Sequence, residues 1–347
     1  MRLGNREIGP AHKPFIVAEM SGNHNQSLDR ACAIVKAAAE AGADAVKLQT
    51  YTADTMTLDL DTKEFFIGDP KSLWKGQSLY KLYQQAYTPW EWHKQLFEYA
   101  NELGLVAFST PFDETAVEFL ESIEAPCYKI ASFENTDLPL IRRVAATGKP
   151  IIISTGMASM EEIEEAAEAA YAGGCKNLVL LKCTSTYPAT PKSTNLATLP
   201  IMRDRFKCEV GLSDHTMGIG AAVASVAFGA VLIEKHLTLR RADGGVDAAF
   251  SMEPQELAQL VTESERAHQA LGSARFGATD AELKSLQYRR SIYVTADTEA
   301  GEIFTTGNIR CIRPGNGLAP KYYSEVLGRV ARERLVKGTP LSWSLVE

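Results

Sequence analysis

The strongest constraint on the fold is a repeated pattern of a short apolar run, a polar turn and an amphipathic stretch with helical spacing. The eight apolar runs are FIVAEMS from Phe15, AVKLQTY from Ala45, LVAFSTP from Leu105, CYKIAS from Cys127, PIIISTG from Pro150, LVLLKCT from Leu178, EVGLSDH from Glu209 and VLIEKHL from Val231. Eight successive β-then-α units predict an α/β protein with a closed (β/α)₈ TIM barrel. A doubly wound open sheet is the alternative, but the G-x-G-x-x-G turn typical of that fold does not follow the first run.

The pattern changes after the last helical stretch. The segment ARFGATDAELKSLQYRRS, from Ala274, has the character of a linker, and short strands separated by turns follow it. We therefore expect residues 1–286 to form the barrel and residues 287–347 to form a small β-rich domain. The segment from Tyr51 to about Thr88 is too long for a plain connection, and long loops on this face of a barrel usually build substrate sites.

Charge and hydropathy exclude several classes of partner. The chain has 36 basic and 43 acidic residues and a net charge of −7, which argues against nucleic acid as its main partner. No apolar run reaches the length of a membrane span and no signal arrangement opens the chain, so we expect a cytoplasmic protein without a membrane partner. The six cysteines form no C-x-x-C pair, which predicts reduced, buried thiols.

Polar residues lie at the carboxyl ends of the apolar runs, although a buried parallel strand is expected to be apolar throughout. These residues are Glu19, Lys47, Gln49, Thr110, Lys129, Ser132, Ser154, Lys182, Thr184, Ser213, His215, Glu234 and His236. Side chains alternate along a strand, so residues two apart, such as Lys47 and Gln49, share a face. A lone serine or threonine at a strand end is often only a cap. Lysines, histidines and a glutamate on one rim would be costly to bury without a function, so the pattern predicts a catalytic rim.

Two histidines, His215 and His236, close consecutive runs and would lie within reach of one shared ion. Two imidazoles favour a transition metal over calcium and leave positions open for water and substrate. The alternative is a pair of hydrogen-bonded core histidines. His24, in the loop after the first run, either reaches the site or only shapes the loop. The remaining histidines, which we expect at the surface, are His12, His93 and His268.

Two lysines and three serines form the set of donors that a phosphate or carboxylate prefers: Lys47, Lys129, Ser132, Ser154 and Ser213. The alternative for each lysine is an ion pair with a neighbouring carboxylate such as Glu19. A different chemistry is a Schiff base on Lys129, as in aldolases of this architecture.

Eight segments, taken in order, resemble the bacterial sialic acid synthase (nonulosonate synthase) family. They are AEMSGNHNQS, AVKLQTY, YKIASFENTDLPLI, GKPIIISTGM, CTSTYPATP, VGLSDHT, EKHLTL and RPGNG. The resemblance runs from about Phe15 to the end, where the small domain is similar to the antifreeze-like (SAF) module of these enzymes. Within the family, SFENTD, LKCTSTYPATP and RADGGVDAAFSMEP are most similar to the pseudaminic acid branch. Ser185 stands where the sialic acid branch tends to have asparagine.

The resemblance implies condensation of phosphoenolpyruvate with the open-chain aldehyde of 2,4-diacetamido-2,4,6-trideoxy-L-altropyranose and water, which gives pseudaminic acid and phosphate. The same chemistry in legionaminic or N-acetylneuraminic acid synthesis is the alternative, and a non-catalytic binding or ice-active protein is an alternative of another class. The resemblance also implies a divalent metal ion, Mn²⁺ before Mg²⁺ or Co²⁺, held by His215 and His236, and a domain-swapped homodimer.

Individual site residues follow from the same resemblance. The family's phosphoenolpyruvate pocket matches Lys47, Thr110, Lys129, Ser132, Ser154, Ser185 and Ser213. The contacts to the acceptor sugar match Gln49, Tyr187, Asp247 and Arg313. In the family this arginine comes from the partner subunit, whereas from the residues alone it could simply bond a neighbouring turn. The expected catalytic residues are Glu19, Glu134, Lys129, His215 and His236, with either glutamate as the base that activates water.

Overall fold

Eight parallel strands close into a barrel in the computed structural model, which describes residues 1–70 and 72–347. In chain order, strands β1 to β8 are Phe15–Glu19, Ala45–Thr50, Val106–Pro111, Tyr128–Ile130, Ile151–Ser154, Leu178–Cys183, Glu209–Ser213 and Leu232–His236. Strand β8 returns to β1, with Leu232 opposite Phe15 and His236 opposite Glu19. The predicted (β/α)₈ barrel is confirmed, and the open-sheet alternative is wrong.

Helices surround the barrel and follow the strands in alternation. Helices α1 to α8 are Leu28–Glu40, Trp90–Glu102, Glu114–Ser122, Leu138–Ala145, Met160–Ala172, Thr198–Phe206, Gly220–Ala227 and Pro254–Leu271. Two short helices, Ala53–Met56 and Leu79–Ala86, lie in the long loop after β2. Local sequence sets the helix starts: Ser159 accepts a hydrogen bond from the Glu162 amide, and the Glu162 carboxylate accepts one from the Ser159 amide.

The interior of the barrel is built in layers. The lower layers are apolar and consist mainly of Phe15, Val17, Ala45, Val106, Phe108, Cys127, Ile152, Val179, Leu181 and Leu232. A short N-terminal hairpin adds Leu3 and Ile8 to this cluster. Because alternate residues point inward, the next inward position on each strand forms a polar layer at the carboxyl ends, for example Lys47 above Ala45. The fold therefore gathers the polar rim at one end of the barrel.

Strand β6 departs from the expected rim. Val179 and Leu181 belong to the inner cluster, so the next inward side chain is Cys183, whereas Lys182 shares the helix-facing side with Leu180. The Lys182 ammonium donates to the carbonyl of Cys183 at 2.7 Å. The strand thus brings a thiol, rather than an ammonium group, into the lumen.

The chain divides into two compact units, Met1–Gly272 and Ser273–Glu347. The second unit contains an antiparallel pair, β9 (Ser291–Val294) and β10 (Ile309–Ile312), and a short helix, Tyr323–Val326. Its core is a separate apolar cluster that includes Ile292, Phe304 and Leu335. No helix among the described residues is both long and apolar enough to cross a membrane.

Two buried histidines stabilise the packing of α2 and the β1 loop. His93 lies on the inner face of α2, 2.9 Å from the Thr50 hydroxyl, and is completely buried, so the expectation of a surface position is wrong. His24 lies 3.2 Å from the Thr88 hydroxyl and is also fully buried. Burial lowers the pKa of both imidazoles to about 4. Both rings are therefore neutral in the folded protein at physiological pH.

We expect the free energy of unfolding to fall as the pH is lowered from 6.5 towards 4. In this window the unfolded chain binds a proton at each histidine and the folded protein does not, so acid favours unfolding. The contribution is on the order of 3 kcal/mol per histidine. Urea unfolding at several pH values measures it. His93→Gln should flatten the dependence and the exposed control His12→Gln should not; an unchanged dependence in His93→Gln would contradict the assignment.

Candidate active site

A buried lysine lies between two buried carboxylates at the top of the barrel. The Lys47 Nζ is 2.8 Å from Glu19 Oε2 and 2.9 Å from Glu234 Oε1. Gln49 donates to Glu19 at 3.2 Å, and Ser213 donates to Glu234 at 3.4 Å. The ion pair with a carboxylate, which was the alternative to anion binding for each lysine, is therefore present at Lys47. Sequence reasoning placed Glu234 on the rim without a role, although its spacing of two from His236 puts both side chains on one face.

Burial and charge oppose each other in this cluster. Burial lowers the pKa of Lys47 to about 8, although the charge of Glu234 acts against it. Burial alone would raise the pKa of Glu234, but the charges of Lys129 and Lys47 outweigh it and hold that pKa at about 2. The second carboxylate oxygen of Glu234 has no hydrogen-bond partner among the described residues. Glu234 is therefore ionised and retains an acceptor directed at the site.

A second set of donors lies on β3, β4 and β5. The Lys129 Nζ donates to Ser154 Oγ at 2.6 Å and to the carbonyl of Ile130 at 3.1 Å. The buried hydroxyl of Thr110 has no partner among the described residues. An unpaired buried hydroxyl is costly, which makes it a natural contact for a ligand oxygen.

Gly156 allows two serines from neighbouring loops to approach. A Cβ at this position would lie 2.2 Å from Ser185 Oγ and 2.6 Å from Ser132 Oγ, so any larger residue would displace these hydroxyls. The Gly156 amide donates to Ser132 Oγ at 3.1 Å. The Cys183 Sγ lies 3.6 Å from Ser185 Oγ. Sequence reasoning missed this thiol as a site residue, and the inward register of β6 is the signal that would have found it.

The two imidazoles predicted as metal ligands lie next to each other, with ring centroids 5.3 Å apart. His215 Nδ1 donates to the carbonyl of Thr184 at 3.2 Å, which leaves the Nε2 lone pair free. His236 Nδ1 is buried, lies 3.6 Å from Asp247 Oδ2 and has no hydrogen-bond partner in the part of the chain that the structure describes. Burial, followed by the charge of His215, lowers the pKa of His236 well below its usual value.

The two adjacent imidazoles suit a divalent transition metal whose remaining positions are open to water or substrate. Within residues 1–70 and 72–347, no cluster of three or more His, Cys, Asp or Glu side chains has the geometry to hold a metal ion.

Aromatic rings continue from the histidines towards the mouth of the barrel. The Tyr187 ring lies 4.7 Å from His215 and 5.1 Å from Phe250, and Phe250 lies 4.9 Å from His236. Asp247 accepts a short hydrogen bond from the Ser21 hydroxyl. Burial raises the pKa of Asp247, although this hydrogen bond opposes the effect. This wall places Tyr187 and Asp247 beside the two histidines.

Glu134 follows β4 and has a buried oxygen without a hydrogen-bond partner among the described residues. Burial raises its pKa to about 7, against the opposing charge of Lys129. A carboxylate with a pKa near 7 can accept and return a proton at neutral pH. Arg313 lies in the second unit, in an exposed turn before Pro314.

A buried ion pair lies on the helix-facing side of the strands that carry the two histidines. The Lys235 Nζ is 2.8 Å from Asp214 Oδ2 and donates to the carbonyl of Thr216 at 2.7 Å. Asp214 also accepts from the amide of Thr216 at 2.9 Å. Asp214 precedes His215 and Lys235 precedes His236, so the pair joins β7 and β8 where the imidazoles project.

Comparison with known proteins agrees with this geometry. The family model NeuB matches residues 34–276, and the SAF domain model matches residues 289–347. The chain is 42% identical over 341 residues to pseudaminic acid synthase of Campylobacter jejuni, covering 98% of each chain. It is 38% identical over 322 residues to N,N'-diacetyllegionaminic acid synthase of the same species, covering 92% of this chain and 96% of that protein.

A solved structure supports the same assignment. The crystal structure of N-acetylneuraminic acid synthetase from Leptospira borgpetersenii, in complex with citrate, has a TM-score of 0.73 and 32% identity. The match covers 83% of this chain and 95% of that chain. The resemblance found in the sequence and the predicted SAF domain are confirmed. The chain belongs to the NeuB family and is a transferase of the sialic acid synthase type.

Proposed function

We propose that this protein is a pseudaminic acid synthase, which joins phosphoenolpyruvate to the open-chain aldehyde of 2,4-diacetamido-2,4,6-trideoxy-L-altropyranose and releases phosphate. The observation that supports it most is a buried set of anion donors, centred on Lys47 and Lys129, next to two adjacent imidazoles. Identity of 42% to a pseudaminic acid synthase favours this acceptor. N,N'-diacetyllegionaminic acid synthesis is the second candidate, favoured by 38% identity.

We propose that different residues bind the two substrates. Lys47, Lys129 and the nearby hydroxyls would bind the phosphate and carboxylate of phosphoenolpyruvate, and Gln49, Tyr187 and Asp247 would orient the acceptor. When a divalent ion is bound at the two histidines, it supplies Lewis-acid polarisation of the aldehyde. We propose manganese, because imidazole ligands suit it better than magnesium.

Carbon–carbon bond formation proceeds by attack of the enol carbon on the aldehyde carbon. The aldehyde oxygen takes up a proton and becomes a hydroxyl, and positive charge remains at the phosphate-bearing carbon. Water adds to that carbon, and Glu134 accepts the proton that water loses. The tetrahedral adduct then expels phosphate with cleavage of its carbon–oxygen bond. Lys129 and Ser154, which are already hydrogen bonded, are placed to stabilise the departing phosphate.

The rate should depend on pH through Glu134. A base with a pKa of about 7 is protonated as the pH falls through 7, so we expect kcat to fall on the acid side of that value. In Glu134→Gln, kcat should be low at every pH, and the fall in kcat below pH 7 should be absent. Glu118→Gln, at an exposed position of α3, is the control and should retain the wild-type profile. A fall in kcat near pH 7 that persists in Glu134→Gln would show that another group is the base.

Phosphate release is the direct test of the function. We expect the highest kcat/KM with phosphoenolpyruvate and the 2,4-diacetamido-trideoxy altrose, in comparison with the legionaminic precursor and N-acetylmannosamine. A preference for either of the latter would replace the proposed acceptor. Borohydride reduction in the presence of substrate tests the Schiff-base alternative, because only an imine on Lys129 would be trapped as a stable adduct.

We infer that the enzyme acts as a domain-swapped homodimer in which Arg313 from one subunit completes the partner's site. The family resemblance and the exposed position of this arginine support the inference. Arg313→Ala should impair use of the acceptor while the barrel stays folded. Mixing Arg313→Ala with His236→Ala subunits should restore activity, because heterodimers contain one complete site. Unchanged kinetics of Arg313→Ala would contradict the inference.

We also infer a reducing, cytoplasmic location. All six cysteines are free, including the buried Cys127, Cys175 and Cys183. Proteins of oxidising compartments commonly pair their cysteines, and those of the cytoplasm do not.

A further inference from the structure

A solvent-open cavity of about 540 Å³ lies beside Trp74 and Val246. Four amide side chains line it, namely Asn25, Gln26, Gln77 and Gln85. Trp74 and several aliphatic residues complete the wall, and none of the described lining residues is charged. This cavity therefore differs from the neighbouring site, which is built around lysines and carboxylates.

Trp74 connects the cavity to the aromatic wall of the site. Its indole N–H donates to the carbonyl of Val246 at 2.9 Å, directly before Asp247. Its ring lies 5.8 Å from Tyr187, which in turn lies 4.7 Å from His215. One face of the barrel mouth thus leads from the histidines past Tyr187 and Trp74 into the cavity.

Two of the four amides have free hydrogen-bonding groups. The Gln26 amide nitrogen donates to the carbonyls of Gln85 and Tyr87 at 3.1 and 2.7 Å, and Asn25 donates to the carbonyl of Gly244 at 3.3 Å. The side chains of Gln77 and Gln85 are exposed and make no hydrogen bond to another described residue. Each offers a donor and an acceptor. Leu82, at the cavity wall, adds an apolar surface.

The chemistry of this lining selects a class of ligand group. An anion would find no cation among the described lining residues, and a cation would find no carboxylate. A neutral amide with a small methyl group matches both the free glutamine amides and the aliphatic surface, because amides pair with amides and methyl groups with apolar side chains.

We propose that this cavity is the subsite for a second acetamido group of the acceptor sugar, the one remote from the aldehyde. Gln77 and Gln85 are its hydrogen-bonding partners, and Trp74 is the wall that separates it from the reacting carbons. The proposal rests on the proposed function, since only a diacetamido acceptor has such a group.

The test compares two acceptors in the phosphate-release assay, the diacetamido sugar and its analogue with a hydroxyl in place of the 4-acetamido group. The wild type should prefer the diacetamido sugar. Gln77→Met and Gln85→Met keep most of the side-chain volume and remove the amide. Each should raise KM for the diacetamido sugar about threefold to tenfold, the effect of one lost hydrogen bond between neutral groups. KM for the hydroxyl analogue and for phosphoenolpyruvate should stay unchanged.

Gln84→Met is the matched control, because Gln84 is exposed like Gln85 and lies on the same short helix, but does not line the cavity. Retention of the wild-type preference in both Gln77→Met and Gln85→Met would overturn the subsite alone. An equal loss with both sugars would also overturn it, because the glutamines would then act on folding or on the shared part of the acceptor. Absence of phosphate release by the wild type with any diacetamido sugar would overturn the proposed function itself.

Discussion

His236→Ala is expected to reduce phosphate release by more than about 100-fold, since loss of even an outer partner of a metal ligand typically costs 10 to 100-fold. The imidazole is buried with its pKa well below the usual value, and its Nδ1 has no hydrogen-bond partner among residues 1–70 and 72–347, so a lone pair is available for a cation. Manganese affinity, measured by calorimetry on the folded protein, should fall in parallel. His215→Ala should behave in the same way, because the two rings lie 5.3 Å apart.

Chelation gives the complementary result. Exhaustively chelated wild type should lose activity and regain it when manganese is added, whereas His236→Ala should not regain it. His12→Ala, at an exposed position outside the barrel site, is the control and should bind manganese as the wild type does. Full activity of the wild type after exhaustive chelation would refute the metal assignment.

Lys235→Met is expected to lower the free energy of unfolding by about 3–5 kcal/mol, because it leaves the Asp214 carboxylate charged and buried without its partner. Both side chains are at most about 2% exposed, so water cannot replace the lost ammonium group. Because the pair joins β7 and β8, the variant should also loosen the spacing between the two histidines. Urea unfolding measures the first effect, and the dissociation constant for manganese measures the second.

Two further variants separate the loss of a pair from the loss of a lysine. Asp214→Leu/Lys235→Met removes both charges and should recover much of the stability, since replacement of a whole buried pair is often close to neutral. Lys149→Met breaks the more exposed pair between Lys149 and Glu121, remote from the histidines in the chain, and should leave manganese affinity unchanged. A double variant as unstable as Lys235→Met would contradict the stated cause.

The fold was predictable because strand and helix periods are local properties of the sequence. Alternation along β2 and β8 was enough to place Lys47 with Gln49, and Glu234 with His236. The same rule failed on β6, where Lys182 and Cys183 are adjacent and only the register against neighbouring strands decides which one points inward. A hydrophilic side chain at a strand end does not by itself identify the lumen.

Other features depended on contacts between distant segments. Trp74 is positioned by a hydrogen bond to Val246, 172 residues away in sequence, and no spacing rule relates the two. The ion pair of Asp214 and Lys235 was not predicted, for a different reason. Adjacent strands bring the two charges together on the helix-facing side, which was expected to be apolar. His93 was misplaced because its inward direction depends on how α2 packs.

The position of Lys47 between Glu19 and Glu234 has a consequence for turnover. The two carboxylates compete for the Lys47 ammonium group, so in the proposed reaction an anion would gain less from Lys47 than from an unpaired lysine. The same competition operates after the reaction, when the carboxylates can reclaim the lysine as phosphate leaves. The carboxylates would therefore weaken anion binding at Lys47 and favour the release of phosphate. This suits an enzyme that must bind one phosphate-bearing molecule and release another in each cycle.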